Sequence, residues 1–224
     1  MFGSIGRAAL RAGLVAGLLG IPLAFAGAGV ALADFSTCDA TYTGTVSGGI
    51  TVPAGTTACI INAHVTGGVT IQPGGSADIE HSTIDGGVVS VGAKAAPDSS
   101  TALQICDSTL GSLSVTGSRD NVLVGDGTDE ECLGNTIRGS ATFSNNHAQV
   151  GAAGNVVGGS INVVGNNGEE VDLAANHAGG SIVCVNNSAP FDYPSEGPNT
   201  ATGAITGQCV GLSSAGGQQQ QQND

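Results

Sequence analysis

Apolar and polar positions alternate in short stretches that recur along the chain, and each stretch follows a pair of small residues. The small pair is Gly-Gly or Gly-Ser, and the residues after it place apolar side chains at every second position. Strict alternation puts one set of side chains on one face of a β-strand. Successive copies begin 19 to 28 residues apart, at Gly48, Gly67, Gly86, Gly111, Gly139, Gly158 and Gly179.

This period predicts the fold. A single repeat cannot bury its own apolar face, whereas repeats stacked as coils share a continuous interior. We therefore predict an all-β fold, a single-stranded parallel β-helix of about seven short coils that is expected to be right-handed. Extra residues in the third and fourth repeats, near 94–100 and 126–131, are expected to form surface loops. A disordered glycine-rich chain is the alternative, but the alternation and the mean hydropathy of +0.19 argue against it.

The polar positions of the first strand in each repeat predict an outward-facing column of small hydroxyl side chains. Ser90 is assigned to this column because Val89 and Val91 are interpreted as the inward pair of their repeat. A sheet surface of stacked hydroxyls suits an ordered water lattice, as in ice-binding solenoids, or a polysaccharide. The alternative is that these residues only make a soluble strand surface. The candidate binding face comprises Thr51, Thr70, Ser90, Ser112, Ser114, Thr116, Ser140, Thr142, Ser144, Ser160 and Asn162.

Asparagines recur at two positions of the repeat. Asn135, Asn155 and Asn176 precede the glycines by three or four residues, and paired asparagines follow the first strand. A polar binding stripe is one interpretation. The favoured interpretation is structural, because Asn tolerates left-handed backbone and stacks in ladders between neighbouring coils.

The N-terminal segment is predicted to be a signal peptide rather than part of the fold. Arg7 and Arg11 form a positive start, residues 12–33 carry no charge, and Ala31-Leu32-Ala33 matches a cleavage signal. The apolar run is also long enough to cross a bilayer, so an uncleaved membrane anchor is the alternative. The predicted divisions are the signal peptide at 1–33, the β-helix domain at 34–212 and a disordered Gln-rich tail at 213–224.

Acidic residues outnumber basic ones by 18 to 5, and the chain carries a formal net charge of −13. Nucleic acid and anionic lipid headgroups are therefore excluded as natural partners, because both carry negative charge. Membrane contact is expected only through the uncleaved precursor segment. Cell-envelope or extracellular polysaccharide is the expected partner class.

Six cysteines follow the predicted signal peptide, and an even number in an exported chain indicates disulfides. Residues one coil apart stack about 4.8 Å from each other, near the Cα separation of a disulfide. The first and second, third and fourth, and fifth and sixth cysteines are each about one repeat apart, so sequential pairing is predicted, with two pairs clamping the end coils. Zinc binding is the alternative, but no Cys-x-x-Cys or Cys-x-x-His spacing occurs. The predicted pairs are Cys38–Cys59, Cys106–Cys132 and Cys184–Cys209.

Candidate chemistry is sparse. The acidic stretch 120–131 offers oxygen ligands for calcium, but it lacks the EF-hand spacing, and a solvated loop is the favoured interpretation. Asp78, Asp107, Asp126 and Asp172 lie in or near second strands, but nothing marks two of them as the converging pair that glycoside hydrolysis needs. We therefore predict no catalytic, cofactor-binding or metal-binding residue, and a chain that is not an enzyme.

One further signal lies in the C-terminal repeat. The segment Asn176–Cys184 reads Asn-His-Ala-Gly-Gly-Ser-Ile-Val-Cys and is closed by Gly207-Gln208-Cys209, and a related phrase spans 49–59. With the repeats of residues 38–212, these segments resemble a family of small secreted actinobacterial proteins, glycine-rich parallel β-helices that are largely uncharacterised. The resemblance implies the β-helix fold, export and support for a Cys184–Cys209 pair. It implies no active site, because the family has no established activity.

These features predict a secreted, non-catalytic β-solenoid with a structural or adhesive role at the cell envelope or outside the cell. A polysaccharide- or ice-binding module that uses the Ser/Thr face is the second hypothesis. A polysaccharide-degrading β-helix enzyme is the third.

Overall fold

The computed structural model describes residues 37–126, 132–192 and 197–213. The predicted signal peptide at 1–33 lies outside these residues, as does the predicted tail apart from Ser213. No helix in the described ranges is long and apolar enough to cross a membrane. The elements are β1 (Ala40–Val46), β2 (Ile50–Val52), β3 (Thr57–Val65), β4 (Val69–Ile71), β5 (Ser76–Glu80), β6 (Thr83–Val91), β7 (Thr101–Cys106), β8 (Thr109–Thr116), β9 (Asn121–Val124), β10 (Thr136–Ile137), β11 (Ala141–Ser144), β12 (Val150–Ala153), β13 (Val156–Val157), β14 (Ile161–Val164), β15 (Val171–Ala174), β16 (His177–Ala178), β17 (Ile182–Val185), β18 (Phe191–Asp192), β19 (Thr200–Ala201), β20 (Ile205–Gly207) and the 3₁₀-helix η1 (Gln208–Ser213).

All strand pairings are parallel, and each strand pairs with strands one coil before or after it. The pairings form three columns of strands, which we name faces A, B and C. Face A contains β2, β4, β11, β14, β17, β20 and the second halves of β6 and β8. Face B contains β5, β7, β9, β12, β15, β18 and the first halves of β1 and β3. Face C contains β10, β13, β16, β19, the second halves of β1 and β3, and the first halves of β6 and β8.

The predicted all-β parallel solenoid is therefore confirmed, with about eight turns instead of seven. The additional turn is the last one, in which β20 pairs with β17 through Ile205 and Ile182. Its strand follows Thr202-Gly203-Ala204. The repeat search missed this turn because neither Gly-Gly nor Gly-Ser precedes the strand.

The apolar positions of the three faces meet in one buried interior. Face A contributes the inward apolar residues of the strands that follow the glycine pairs. Faces B and C contribute the inward apolar residues of their own strands. Burying one such side chain stabilises the fold by about 1.5–3 kcal/mol, so coil stacking is the main source of stability. The first inward column of face A consists of Ile50, Val69, Val88, Leu113, Ala141, Ile161, Ile182 and Ile205.

Ser90 departs from its predicted position. It is 1% exposed and aligns with the inward Ile71, whereas Val89 and Val91 are 41% and 44% exposed and face outward. The assignment of Ser90 to the outward column was therefore wrong by one position. Alternation alone favours the register that turns Val89 and Val91 inward and Ser90 outward. Because Val88 is also apolar, a one-residue slip still buries one valine, and it moves every side chain to the opposite face.

The glycine pairs decide this register through close contact between coils. The Gly86 N–H donates to the Gly67 carbonyl at 2.9 Å, and the Gly67 N–H donates to the Gly48 carbonyl at 2.9 Å. A Cβ added to Gly67 would lie 2.6 Å from the carbonyl carbon of Gly48. Larger residues do not fit here, so the glycines stack on one another and fix which residues of the following strand point inward.

Two ladders of buried polar side chains run along the corners between faces. At each Asn-to-Asn step, one side-chain oxygen accepts hydrogen bonds from the backbone N–H and the side-chain amide of the Asn in the preceding coil. This arrangement confirms the structural interpretation of the repeated asparagines. The first corner ladder consists of Ser82, Ser108, Asn135, Asn155, Asn176 and Asn199, and the second consists of Ser118, Asn146, Asn166, Asn187 and Gln208.

The three predicted disulfides are confirmed. The Cα–Cα separations are 5.7 Å for Cys38–Cys59, 4.6 Å for Cys106–Cys132 and 5.3 Å for Cys184–Cys209. The first and last pairs tie the end coils, as expected from their spacing. Cys209 and Leu212 of η1 are buried against the last coil, so this short helix covers the apolar interior at the C-terminal end. Three disulfides are typical of proteins from oxidising compartments.

Candidate functional site

Three neighbouring coils bring most of the predicted face residues together on face A. Ser114 of β8 aligns with Thr142 of β11, and Thr142 aligns with Asn162 of β14. The positions on either side of this central column also carry hydroxyls, except that Val164 follows Asn162 in β14. We name this group the hydroxyl patch, and its members are Ser112, Ser114, Thr116, Ser140, Thr142, Ser144, Ser160 and Asn162.

Hydrogen bonds between coils orient several hydroxyls at the edges of the patch. Ser140 Oγ accepts from the Ser160 N–H at 3.1 Å, and Ser160 Oγ accepts from the Ser181 N–H at 3.1 Å. Each oxygen that accepts from the backbone keeps its own O–H for donation to another group. Thr116 and Ser144 share one hydrogen bond of 2.9 Å between their hydroxyls. The edges of the patch are therefore preorganised.

The central column of the patch is free to bond outward. The side chains of Ser114, Thr142 and Asn162 are half-buried and make no hydrogen bond to the described part of the chain. Each offers at least one donor and one acceptor. These three groups repeat at the coil spacing of about 4.8 Å, which gives a ligand a regular row of polar partners.

Valines border the hydroxyl patch on both sides along the solenoid. Val89 and Val91 occupy the outward positions of the preceding coil, and Val183 and Val185 occupy those of the coil after Asn162. Thr51 and Thr70 lie on the same face in the first two coils, but Val89 separates them from the patch. The predicted face is thus divided into a pair of threonines and the patch.

Face A carries no charged side chain at the outward positions of its described strands. The chain as a whole has a net charge of −13, so the acidic groups are concentrated elsewhere. A surface without charge favours a neutral ligand, because neither attraction nor repulsion by ions contributes there.

A pair of carboxyl groups lies on face B, and sequence reasoning did not pair them. Asp78 and Glu80 alternate on β5, so both side chains lie on the same side of the strand, and they are 1% and 5% exposed. Burial, the adjacent Glu80 charge and a hydrogen bond that protonated Asp78 donates to the Glu80 carboxylate together raise the pKa of Asp78 to about 8. The i, i+2 spacing on a strand is the signal that identifies this pair.

This carboxyl pair is enclosed by the chain around it. Asp78 aligns with Cys59 in the preceding coil and with Gln104 in the following one, and Glu80 aligns with Cys106. The Gln104 amide donates to Glu80 Oε1 at 3.5 Å. The pair therefore lies between Cys59 and Cys106, which belong to two different disulfides. A sugar chain has no direct access to this buried position.

The other titratable groups do not form a compact site. His64 Nε2 lies 2.9 Å from Asp85 Oδ2, and Arg138 lies 3.9 Å from the other oxygen of Asp85, all on the exposed surface of face C. His81 and Asp107 form a separate exposed contact of 3.5 Å. Among the residues that the structure describes, no group of three or more His, Cys, Asp or Glu side chains is arranged to hold a metal ion.

The acidic stretch 120–131 is described only as far as residue 126. Asp120 Oδ2 accepts from the Ala95 N–H at 2.9 Å, and the Asp126 N–H donates to the Cys132 carbonyl at 2.7 Å. The carboxylate of Asp120 is thus used to anchor the neighbouring loop. The remainder of this acidic stretch, for which a solvated loop was the favoured interpretation, lies outside the described residues.

Comparisons of the chain with protein-family models, with curated proteins and with solved structures found no match.

Proposed function

We propose that this protein is a secreted, non-catalytic β-solenoid that adheres to an uncharged polysaccharide of the cell envelope or the extracellular space. The observation that carries the proposal is the hydroxyl patch, a three-coil array of hydroxyl and amide groups on a face without charge. Sugar hydroxyls both donate and accept hydrogen bonds, and so do the groups of the patch.

Export is supported by three disulfides and by the pattern of the first 33 residues. The resemblance of residues 38–212 to small secreted actinobacterial β-helices agrees with this assignment. A stiff rod stabilised by end disulfides and corner ladders suits an adhesive or structural role, because such a scaffold holds a binding face in one shape.

The two other hypotheses have less support. An ice-binding surface needs a long regular array, but valines at positions 89, 91, 183 and 185 limit the polar array to three coils, and Val164 interrupts its third coil. A polysaccharide-degrading enzyme needs two accessible carboxyl groups about 5–9 Å apart. The carboxyl groups of Asp78 and Glu80 are instead buried and hydrogen-bonded to each other.

The decisive experiment measures retention of the exported chain on insoluble polysaccharides. Full-length protein is expressed with export, recovered from the oxidising compartment of the host, and mixed with cellulose, chitin, β-glucan or purified cell walls. The variant Ser114→Ala with Thr142→Val removes two adjacent hydroxyls from the centre of the patch. We expect at least a tenfold weaker retention. Each hydrogen bond lost between the patch and the polymer costs about 0.5–1.5 kcal/mol, and the variant removes two hydroxyls from every protein molecule that binds.

A matched control carries the same kind of change on another face. Thr109 and Thr136 align in successive coils on face C, as Ser114 and Thr142 do on face A. The variant Thr109→Val with Thr136→Val should therefore be retained like the unmodified chain. Equal loss in both variants, or no retention of the unmodified chain on any polymer, contradicts the proposal.

A further inference from the structure

The insertion in the third repeat lines a cavity together with turns of the first two coils. Residues Lys94–Asp98 stand beside the turns at Gly55 and Gly74 in the first two coils. Together with Asp39 they enclose about 360 Å³ at the ends of the first face A strands. A volume near 300–1,000 Å³ is typical of small-molecule sites, so this cavity suits a small ligand or the end of a chain.

Hydrogen bonds hold the walls of this cavity in place. The Lys94 N–H donates to the Gly75 carbonyl at 3.0 Å, and the Ala95 N–H donates to Asp120 Oδ2 at 2.9 Å. On the opposite wall, the Gly55 N–H donates to the Gly74 carbonyl at 2.8 Å. Because the insertion is tied to the coils on both sides, the cavity exists before a ligand arrives.

The groups around the cavity combine donors, acceptors and apolar surface. Asp39 Oδ2 accepts from the Thr57 N–H at 2.7 Å, which fixes the carboxylate at the rim. Asp98 brings a second carboxylate and Lys94 an ammonium group that forms no ion pair with the described residues. Ala96 and its neighbours supply an apolar wall. Carboxylates accept hydrogen bonds and an ammonium group donates them. The O–H donor and the acceptor oxygen of a sugar hydroxyl can therefore both be paired here.

We propose that this cavity binds the terminal sugar residue of a neutral polysaccharide, as an end-binding site beside the hydroxyl patch. The inference rests on the proposed polysaccharide adhesion and adds a preference for chain ends. The patch is an open strand surface that offers partners along the middle of a chain, whereas the insertion bounds this half-open cavity on one side, so we expect it to receive a chain end. The charged groups at the rim form hydrogen bonds with the hydroxyls of an uncharged sugar ring.

The test is a titration of the exported, isotope-labelled chain with soluble neutral oligosaccharides, followed by amide NMR. The probes are the hexamers of cellulose, chitin, xylan and mannan, and oligogalacturonate serves as the anionic probe. We expect saturable shifts at Gly55, Gly74 and Ala96 with a neutral hexamer. The variants Lys94→Gln and Asp98→Asn should each weaken binding at least tenfold, and Asp85→Asn on face C should not.

The outcomes separate this inference from the proposed function. Retention on insoluble polymer without shifts at the cavity overturns the end-binding site and leaves the patch. Shifts confined to the patch, equal affinity of all variants, or preference for oligogalacturonate also overturn it. If neither polymer nor oligosaccharide binds, both proposals fail. Mapping on the unmodified chain keeps the test valid even if one variant misfolds.

Discussion

Asn155 and Asn176 occupy the same corner in successive coils and are joined through a single oxygen atom. The Asn155 backbone N–H and its side-chain amide both donate to Asn176 Oδ1, at 3.1 and 3.0 Å. The Asn155 amide also donates to the Val124 carbonyl at 2.7 Å. One side chain therefore satisfies backbone groups from different coils, and the step repeats along the first corner ladder.

Replacing Asn155 with Ala should strongly destabilise the solenoid. The Asn135 N–H and the Val124 carbonyl would lose their partners in a buried corner, and each buried unsatisfied group costs about 1–3 kcal/mol. We expect the free energy of unfolding to fall by about 3–5 kcal/mol in urea titrations. Asn167→Ala is the control, because the exposed Asn167 side chain contacts only His147 and its backbone hydrogen bond to Asn146 is kept in the variant. This change should alter stability by less than about 0.5 kcal/mol. Equal effects would show that the ladder is not what holds this corner.

Ser90→Ala should stabilise the protein. The Ser90 hydroxyl is buried and has no hydrogen-bond partner, so removing it eliminates an unsatisfied polar atom at little loss of volume. We expect a gain of about 1 kcal/mol in the free energy of unfolding. Ser114→Ala, at an outward position one coil later, should be near neutral. A destabilised Ser90→Ala variant would contradict the inward register of this strand.

Stability should depend on pH through Asp78. Its pKa is about 8 in the folded chain and 3.8 in an exposed carboxyl. Below about pH 4 both the folded and the unfolded state hold the proton. Between pH 4 and 8 only the folded state holds it, so the free energy of unfolding falls as pH rises. The stability that protonated Asp78 contributes is fully present below pH 4 and is lost as pH rises through about 8.

Asp78→Asn is the variant that checks this dependence. Thermal or urea unfolding measured from pH 4 to 9 should show a smaller loss of stability with rising pH than the unmodified chain, with a difference on the order of a few kcal/mol. Glu169→Gln changes an exposed carboxylate that forms no ion pair with the described residues, and it should leave the slope as it was. Parallel curves for Asp78→Asn and the unmodified chain would contradict a buried, protonated Asp78.

Removing the last disulfide should loosen the C-terminal end before the rest of the rod. In the variant Cys184→Ala with Cys209→Ala, η1 is held only by packing of its apolar side chains and a few hydrogen bonds. We expect a loss of about 2–4 kcal/mol and faster amide hydrogen exchange in β17 and β20 than in β11. Uniform acceleration over all coils would instead indicate that the solenoid unfolds as one unit.

Much of the architecture was predictable because it is local. Alternating side chains and small residues at a recurring position identify strands and corners, and the cysteine spacing matches one coil, so fold class and disulfide pairing followed from the sequence. The hydroxyl patch was predictable for the same reason in the coils of β8, β11 and β14, where only one register keeps the apolar residues inside.

The remaining features depend on contacts between residues far apart in the chain. The alternation of Val89, Ser90 and Val91 favours the register that keeps Ser90 outside, whereas the stacking of Gly86 on Gly67 selects the one that buries Ser90. The pKa of Asp78 depends on desolvation and on Glu80. The cavity exists because an insertion in the third repeat meets turns of the first two coils. The sequence by itself thus determined the repeat, the strands and the pairing of cysteines, because these follow from spacing along the chain. Only the tertiary structure decided which side chains are desolvated and which loops meet, because both depend on how coils align across separations of 19 residues or more.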